Sequence, residues 1–282
     1  MYRSWSRICT GVKRRRKVIQ TQVSRIQGMV EVFSASTSGS LRIDRLDFSY
    51  FSTPVLRSLS CQFGSSRTVL LGPNGAGKST LFGVLSGALA ARSGAVLLPG
   101  ADSPTSRREL RSRVGIMPQS IAPVPGLTVA EQVAYAGWLA GLSARRAARR
   151  AGDALEQVDL AGKADAKAGR LSGGQLRRVG LAQAIVAEPE VLLLDEPTAG
   201  LDPAQRLRFR SVLRSIPGDR VTIVSTHQID DISELYDVVA VIEAGQMRFT
   251  GTPQEFLGLA GPGPGQAERA YLSLLRSEEI AL

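Results

Sequence analysis

The chain is expected to be an α/β protein built on a mostly parallel sheet, and three observations lead there. Short apolar runs of strand length, Val114–Met117, Val191–Leu194, Val221–Ser225 and Val238–Ile242, alternate with longer stretches of helical periodicity. Another such run, within Arg67–Leu71, feeds a glycine turn and then an apolar helical stretch over Leu81–Leu89, which is the opening of a strand–turn–helix unit. The 282 residues are 43% hydrophobic and 21% charged, which allows a sizeable core in one large domain or two small ones.

The first forty residues stand apart from the rest. They hold eight Lys or Arg against the single acid Glu31, so they supply seven of the ten net positive charges and leave three for residues 41–282. The body of the chain is therefore nearly neutral, which removes most of the case for a nucleic-acid-binding body. Residues 1–40 lack the apolar region of a secretory signal; their Arg- and Ser-rich composition also fits an organellar transit peptide, or a chain whose translation starts at Met29. The expectation is a basic, disordered or non-native extension.

From Leu41 the pattern changes. Leu41, Ile43, Leu46, Phe48 and Tyr50 alternate, with one slip, as in a half-buried strand. Gly126–Ala168 reads as helical throughout, with a capping box at Thr128 and Glu131 and a second helix capped by Ser143 whose arginines form a solvated face. Thr252-Pro-Gln-Glu255 is a further capping box with proline at the first helical position. Gly261–Gly265 reads as a linker, and Glu268–Ile280 as a short helix with Tyr271, Leu274 and Leu275 on one side. No internal repeat is found. Two distant cysteines and the single histidine His227 argue against disulfide frameworks and multi-histidine metal centres and fit a reducing compartment. No apolar run approaches the ~20 residues that span a bilayer.

Chemistry concentrates in a few motifs. Gly72-Pro73-Asn74-Gly75-Ala76-Gly77-Lys78-Ser79-Thr80 matches the G-x-x-x-x-G-K-[ST] phosphate loop. Its glycines let successive N–H groups turn toward one anion while the following helix presents its positive end. Lys78 would reach the β- and γ-phosphates, and Ser79 would set its hydroxyl on Mg²⁺. Val191–Leu194 ends in Asp195 and Glu196. Acids at the carboxyl end of a buried strand would lie beside that loop, with Asp195 holding Mg²⁺ through water and Glu196 orienting or deprotonating an attacking water. Leu171-Ser172-Gly173-Gly174-Gln175 opens an amphipathic helix, and read alone Ser172 is an ordinary N-cap.

Taken together, these motifs resemble those of ATP-binding cassette (ABC) ATPases, from about Leu41 to Leu257. The resemblance implies a P-loop NTPase core of the RecA-like kind, with an N-terminal antiparallel β region and a helical subdomain over about residues 120–170, followed by a linker and short helix over 258–282. It implies that Tyr50 stacks on adenine, that Gln119 touches Mg²⁺ and water and senses a membrane partner, that Asp202 lies at a dimer contact, and that His227 contacts the γ-phosphate and fixes Glu196. It further implies that two such domains, as a homodimer or with a similar ATPase, meet head to tail, so that Ser172, Gly173, Gly174 and Gln175 of one close over the phosphate loop of the other. The partner would be a separate transmembrane permease, holding the ATPase on the cytoplasmic face of the cell membrane; no nucleic-acid partner is expected.

The segments Gly126–Val129 and Leu176–Ala184 look most like those of ABC-2-type exporter ATPases. Import ATPases share the catalytic motifs, although the tail after Gly261 is too short for the regulatory domain that some of them add. Two other classes stand against a transport ATPase. Soluble ABC ATPases acting on nucleic acid or the ribosome usually carry two cassettes or long coiled-coil insertions, whereas the stretch from Thr80 to Leu171 is compact. A non-catalytic module would be expected to have lost Glu196 or Lys78, and both are intact.

Overall fold

The computed structural model describes residues 39–217, 219–227 and 232–275. The basic leader, Gln228 and the end of the expected tail helix lie outside the described residues. The chain begins with β1 (Leu41–Tyr50), β2 (Thr53–Phe63) and β3 (Arg67–Leu71), then α1 (Lys78–Leu85), β4 (Ser93–Leu97), α2 (Arg107–Arg113) and β5 (Val114–Met117). It continues through α3 (Val129–Leu139), α4 (Ala144–Gln157), α5 (Gly173–Ile185), β6 (Val191–Asp195), α6 (Pro203–Ser215) and β7 (Val221–Ser225). Last come α7 (Ile232–Leu235), β8 (Val238–Glu243), β9 (Gln246–Gly251), α8 (Pro253–Leu257) and α9 (Gln266–Leu275).

The mostly parallel sheet is present, in the order β5-β6-β7-β3-β8-β9, with only β9 antiparallel to its neighbour. A smaller antiparallel sheet, β2-β1-β4, holds the N-terminal part. Side chains of the central strands alternate between cores, as the period of two requires. Val191 and Leu193 of β6 join the core beneath the small sheet and α1, whereas Leu192 and Leu194 join the core shared with α3, α4, α5 and α6. Val69 and Leu71 of β3 turn to a third cluster with Phe256 of α8 and Ala270 of α9. Strands buried on both faces need continuous apolar runs, which is why these were readable in the sequence.

Several elements differ from the expectation. The stretch over residues 126–168 forms α3 and the expected second helix α4, parted at Gly141, whose φ of 103° no ordinary helical residue adopts, but it is not helical to its end. It then relaxes into single 3-10 turns at Ala161–Lys163 and Ala168–Arg170. Helix α1 starts earlier, at Lys78, and stops at Leu85 ahead of Gly87, which is left-handed at φ 71°. Strand β2 carries no strand pattern in the sequence, because Leu56, Leu59 and Phe63, its buried residues, recur at three and four positions, a helical spacing. Register shifts in its pairing with β1 create that spacing. The capping boxes at Thr128 and Thr252 and the Ser143 cap are formed as expected.

Candidate active site

The phosphate-loop segment joins β3 to α1, and its backbone is set by close approach. A Cβ on Gly72 would lie 2.4 Å from the Ile242 carbonyl oxygen, so only glycine fits beside β8. Gly77 caps α1 at φ 103° with no side-chain cap, leaving the first N–H groups of the helix open toward the loop. The Lys78 side chain folds back into this loop. Its ammonium donates to the Gly72 carbonyl at 2.6 Å and to the Pro73 carbonyl at 3.1 Å. Burial lowers the Lys78 pKa, and the negative charges of Glu196 and Asp195 act against that shift.

Two carboxylates sit at the end of β6, both buried. Ser225, at the end of β7 and itself fully buried, ties them together: its hydroxyl donates to Asp195 Oδ1 and accepts from the Glu196 N–H at 3.0 Å. Glu196 also donates its N–H to the Ser225 carbonyl at 3.1 Å, and its own carbonyl accepts from Ala199 N–H. These contacts hold Glu196 at φ 46°, a left-handed conformation that costs a non-glycine residue ~1–3 kcal/mol. The Glu196 Oε2 lies 3.0 Å from Nδ1 of His227, two residues past the end of β7.

The carboxyl ends of four adjacent parallel strands thus deliver one set of groups. Strand β5 leads to Gln119, β6 to Asp195 and Glu196, β7 to Thr226 and His227, and β3 to the loop from Gly72 to Thr80. All of them, with Tyr50 from the end of β1, line a single cleft of about 790 Å³. Ligands bind at this edge of open α/β sheets. Tyr50 is 47% exposed, and its ring makes a T-shaped contact with that of Phe48, with ring centroids 4.8 Å apart.

The remaining sequence-identified residues are not brought into that cleft. Ser172 caps α5 in a capping box, its hydroxyl accepting from Gln175 N–H at 3.3 Å while its own N–H donates to Gln175 Oε1 at 3.0 Å. Gly173 has open space around it, and Gly174 packs so closely on Gln205 that a Cβ would meet its Oε1 at 2.9 Å. Asp202 caps α6 by accepting from Gln205 N–H at 2.8 Å. Ser172–Gln175 and Asp202 thus form a second surface, linked through Gln205.

The cleft also contains residues the sequence did not single out: Val55, Leu71, Thr226 and, from α9, Tyr271 and Leu275. The last two carried a signal as the apolar side of the tail helix, but nothing in the sequence told which element that side would face. The Ser79 hydroxyl, Gln119 side chain and Asp195 carboxylate give an oxygen donor set with one carboxylate, which suits Mg²⁺ held largely by water and phosphate. No cluster of three or more His, Cys, Asp or Glu able to cage a metal occurs among the described residues, and such a shared ion needs none.

The chain is similar to known proteins in sequence and in fold. A family model described as "ABC transporter" matches residues 56–199. The Nod factor export ATP-binding protein I of Burkholderia lata is 38% identical over 222 residues, covering 75% of this chain and 73% of that protein. Among solved structures, a bacterial Atm1-family ABC exporter with ATP bound superposes with a TM-score of 0.69 at 26% identity, over 83% of this chain and 42% of that one. The cbiO1 protein of Clostridium perfringens, part of the ABC transporter complex cbiONQ, gives a TM-score of 0.67 at 29% identity over 85% of this chain and 96% of its own.

Proposed function

Because the chain belongs to the ABC transporter family, we propose that it is an ATP-binding and ATP-hydrolysing subunit that powers export through a separate membrane subunit. The observation that carries this reading is the row of four parallel strand ends converging on one cleft, while the capped N-terminus of α5 stays outside it. In this reading one chain offers half of a site, and a second copy or a similar ATPase presents the other half.

The proposed division of labour follows from the groups present. Tyr50 supplies the aromatic face for adenine, and the N–H groups from Gly72 to Thr80 with the start of α1 receive the phosphates. Lys78 exchanges two backbone carbonyls for phosphate oxygens, which offer it full rather than partial negative charge. Ser79, Asp195 and Gln119 would hold Mg²⁺, which would supply positive charge against the triphosphate. Glu196 takes the proton of the attacking water at its carboxylate, and His227 fixes the direction of that carboxylate and touches the γ-phosphate. Ser172, Gly173, Gly174, Gln175 and Asp202 act across the interface, where a helix N-terminus offers a second anion site. Hydrolysis removes the charge that bridges two subunits, so the interface loosens.

Among the described residues no helix is long and apolar enough to cross a membrane; a separate permease, with the ATPase attached to the inner membrane face through it, rests on the likeness to ATP-binding proteins of ABC transporters. Export rather than import rests on the likeness to the Nod factor export protein. The exposed, stacked Tyr135 and Trp138, on the helix that follows the Gln119 loop, favour this region for the permease contact. The test is direct: purified chain with Mg-ATP should release phosphate and, in an analogue that resists cleavage, run as a dimer. A chain that binds ATP yet stays monomeric and releases no phosphate, with or without membranes containing its permease, would overturn the proposal.

A further inference from the structure

Arg177 lies in the second turn of α5, outside every motif that assigns a role, and its guanidinium reaches two loops of the cleft at once. One terminal nitrogen donates to the Gln119 carbonyl, and the other donates to the Ala199 carbonyl at 3.0 Å. Gln119 follows β5, and Ala199 closes the turn after β6 by donating its N–H to the Glu196 carbonyl at 3.1 Å. We propose that Arg177 is a positioning residue that clasps the Gln119 loop and the Glu196–Ala199 turn to one helix, so that both sides of the cleft keep their relation to each other and to Ser172.

The physical case rests on geometry. Glu196 occupies a strained left-handed backbone, and strain persists only where the surroundings over-determine it. Ser225 fixes the Glu196 N–H; Arg177, through Ala199, fixes the far side of the same turn. A planar guanidinium spans two carbonyls with its fork, which the point charge of lysine does poorly. The side chain is half-buried, which disfavours its charge, and nearby Glu196 favours it. The neighbouring Arg178 does a different job, donating to the Val158 and Asp159 carbonyls and so anchoring α5 to the end of α4. The clasp also joins the start of α5, proposed to cross the subunit interface, to the loop proposed to sense the permease, so this inference rests on the transport-ATPase reading.

Arg177→Met keeps the length of the side chain and removes both hydrogen bonds, while Arg177→Lys keeps the charge and loses the fork. In the purified full-length chain, Arg177→Met should lower kcat by about 10- to 100-fold, since a misplacement of ~1 Å costs on that order. The Kd for ATP should stay within about threefold of wild type, because the phosphate loop is untouched. Hydrogen exchange should quicken at the amides around Gln119 and around Ala199 together, with the melting temperature of the rest retained, and Arg177→Lys should fall between. Unchanged kcat, or quickened exchange in one loop only, overturns the clasp. So does a loss of kcat that merely tracks a global loss of stability in both variants. A wild-type chain without ATPase activity would instead refute the transport-ATPase reading, and the paired exchange measurement would still decide whether the clasp exists.

Discussion

His227 Nδ1 lies 3.0 Å from Glu196 Oε2, a 60% exposed imidazole against a carboxylate side chain that is 11% exposed. One partner is thus held by the fold and the other is free to meet a ligand. Ser225 and the Ala199 turn fix Glu196, and His227 approaches it from the solvent side. Glu196→Gln keeps the shape and removes the base, so turnover should drop by ~10²–10⁴ while ATP still binds. His227→Ala should lower turnover in the same direction. Groups that act as one unit give non-additive losses, so the double variant should be scarcely slower than Glu196→Gln alone, as read by phosphate release. Multiplicative losses would mean that the two residues act independently.

Lys78→Ala should act on binding first. In the wild type the buried ammonium donates to the Gly72 and Pro73 carbonyls, so the substitution also takes a donor from the apo loop and should cost it some stability. A hydrogen bond to a charged group contributes about 1.5–3 kcal/mol, or roughly 10- to 100-fold in Kd. Titration with a fluorescent ATP analogue should show that weakening in a chain that remains folded, with a modest fall in the apo melting temperature. Retained affinity would remove Lys78 from the phosphate site.

What the sequence disclosed and what it withheld follow from one physical difference. The phosphate loop is contiguous, and Gly72, Gly77 and Lys78 are dictated by local backbone needs, so the motif can be read along the chain. The strands ending at Leu71, Asp195 and Ser225 are buried on both faces and announce themselves as apolar runs. Strand β2 did not, because its bulged pairing places Leu56, Leu59 and Phe63 at helical intervals. Arg177 was invisible for a different reason. Its partners are carbonyl oxygens, which every residue has, so no residue type at Gln119 or Ala199 could signal the contact. The presence of Tyr271 in the cleft lining depends on where α9 docks, and helical periodicity says only that one side is apolar.

Asp159 gives a pH-dependent test of how α5 and α6 are held. Its Oδ2 accepts from Arg208 at 2.6 Å and from Arg178 at 3.1 Å. The hydrogen bond and charge of Arg208, followed by those of Arg178, hold the carboxyl below its ordinary value. A carboxyl with a lowered folded pKa adds stability above its unfolded value, about 3.9, and loses it as pH falls through the folded value. Asp159→Asn tolerates the same left-handed backbone, φ 55°, and so isolates the charge. Thermal melts should therefore show the variant less stable at pH 7, with the difference closing below about pH 4. A difference that persisted undiminished at pH 3 would assign the effect to packing.

Ser172 separates a structural cap from a functional contact. Its hydroxyl caps α5, and loss of such a cap costs about 0.5–2 kcal/mol, so Ser172→Ala should lower the melting temperature whatever else it does. Ser172→Asp behaves differently. Aspartate caps as well as serine, and its charge is favourable at a helix N-terminus, so the chain alone should be as stable as wild type. Since Ser172 lies outside the cleft of its own chain, ATP binding by the monomer should also be unchanged. In the proposed dimer, however, the new carboxylate would face the γ-phosphate held by the other subunit, and like charges repel. The Glu196→Gln chain with Mg-ATP should elute as a dimer in size-exclusion chromatography, and adding Ser172→Asp should return it to monomer. Dimers that survive this change would place the start of α5 away from the bound triphosphate, and the head-to-tail arrangement would have to be abandoned.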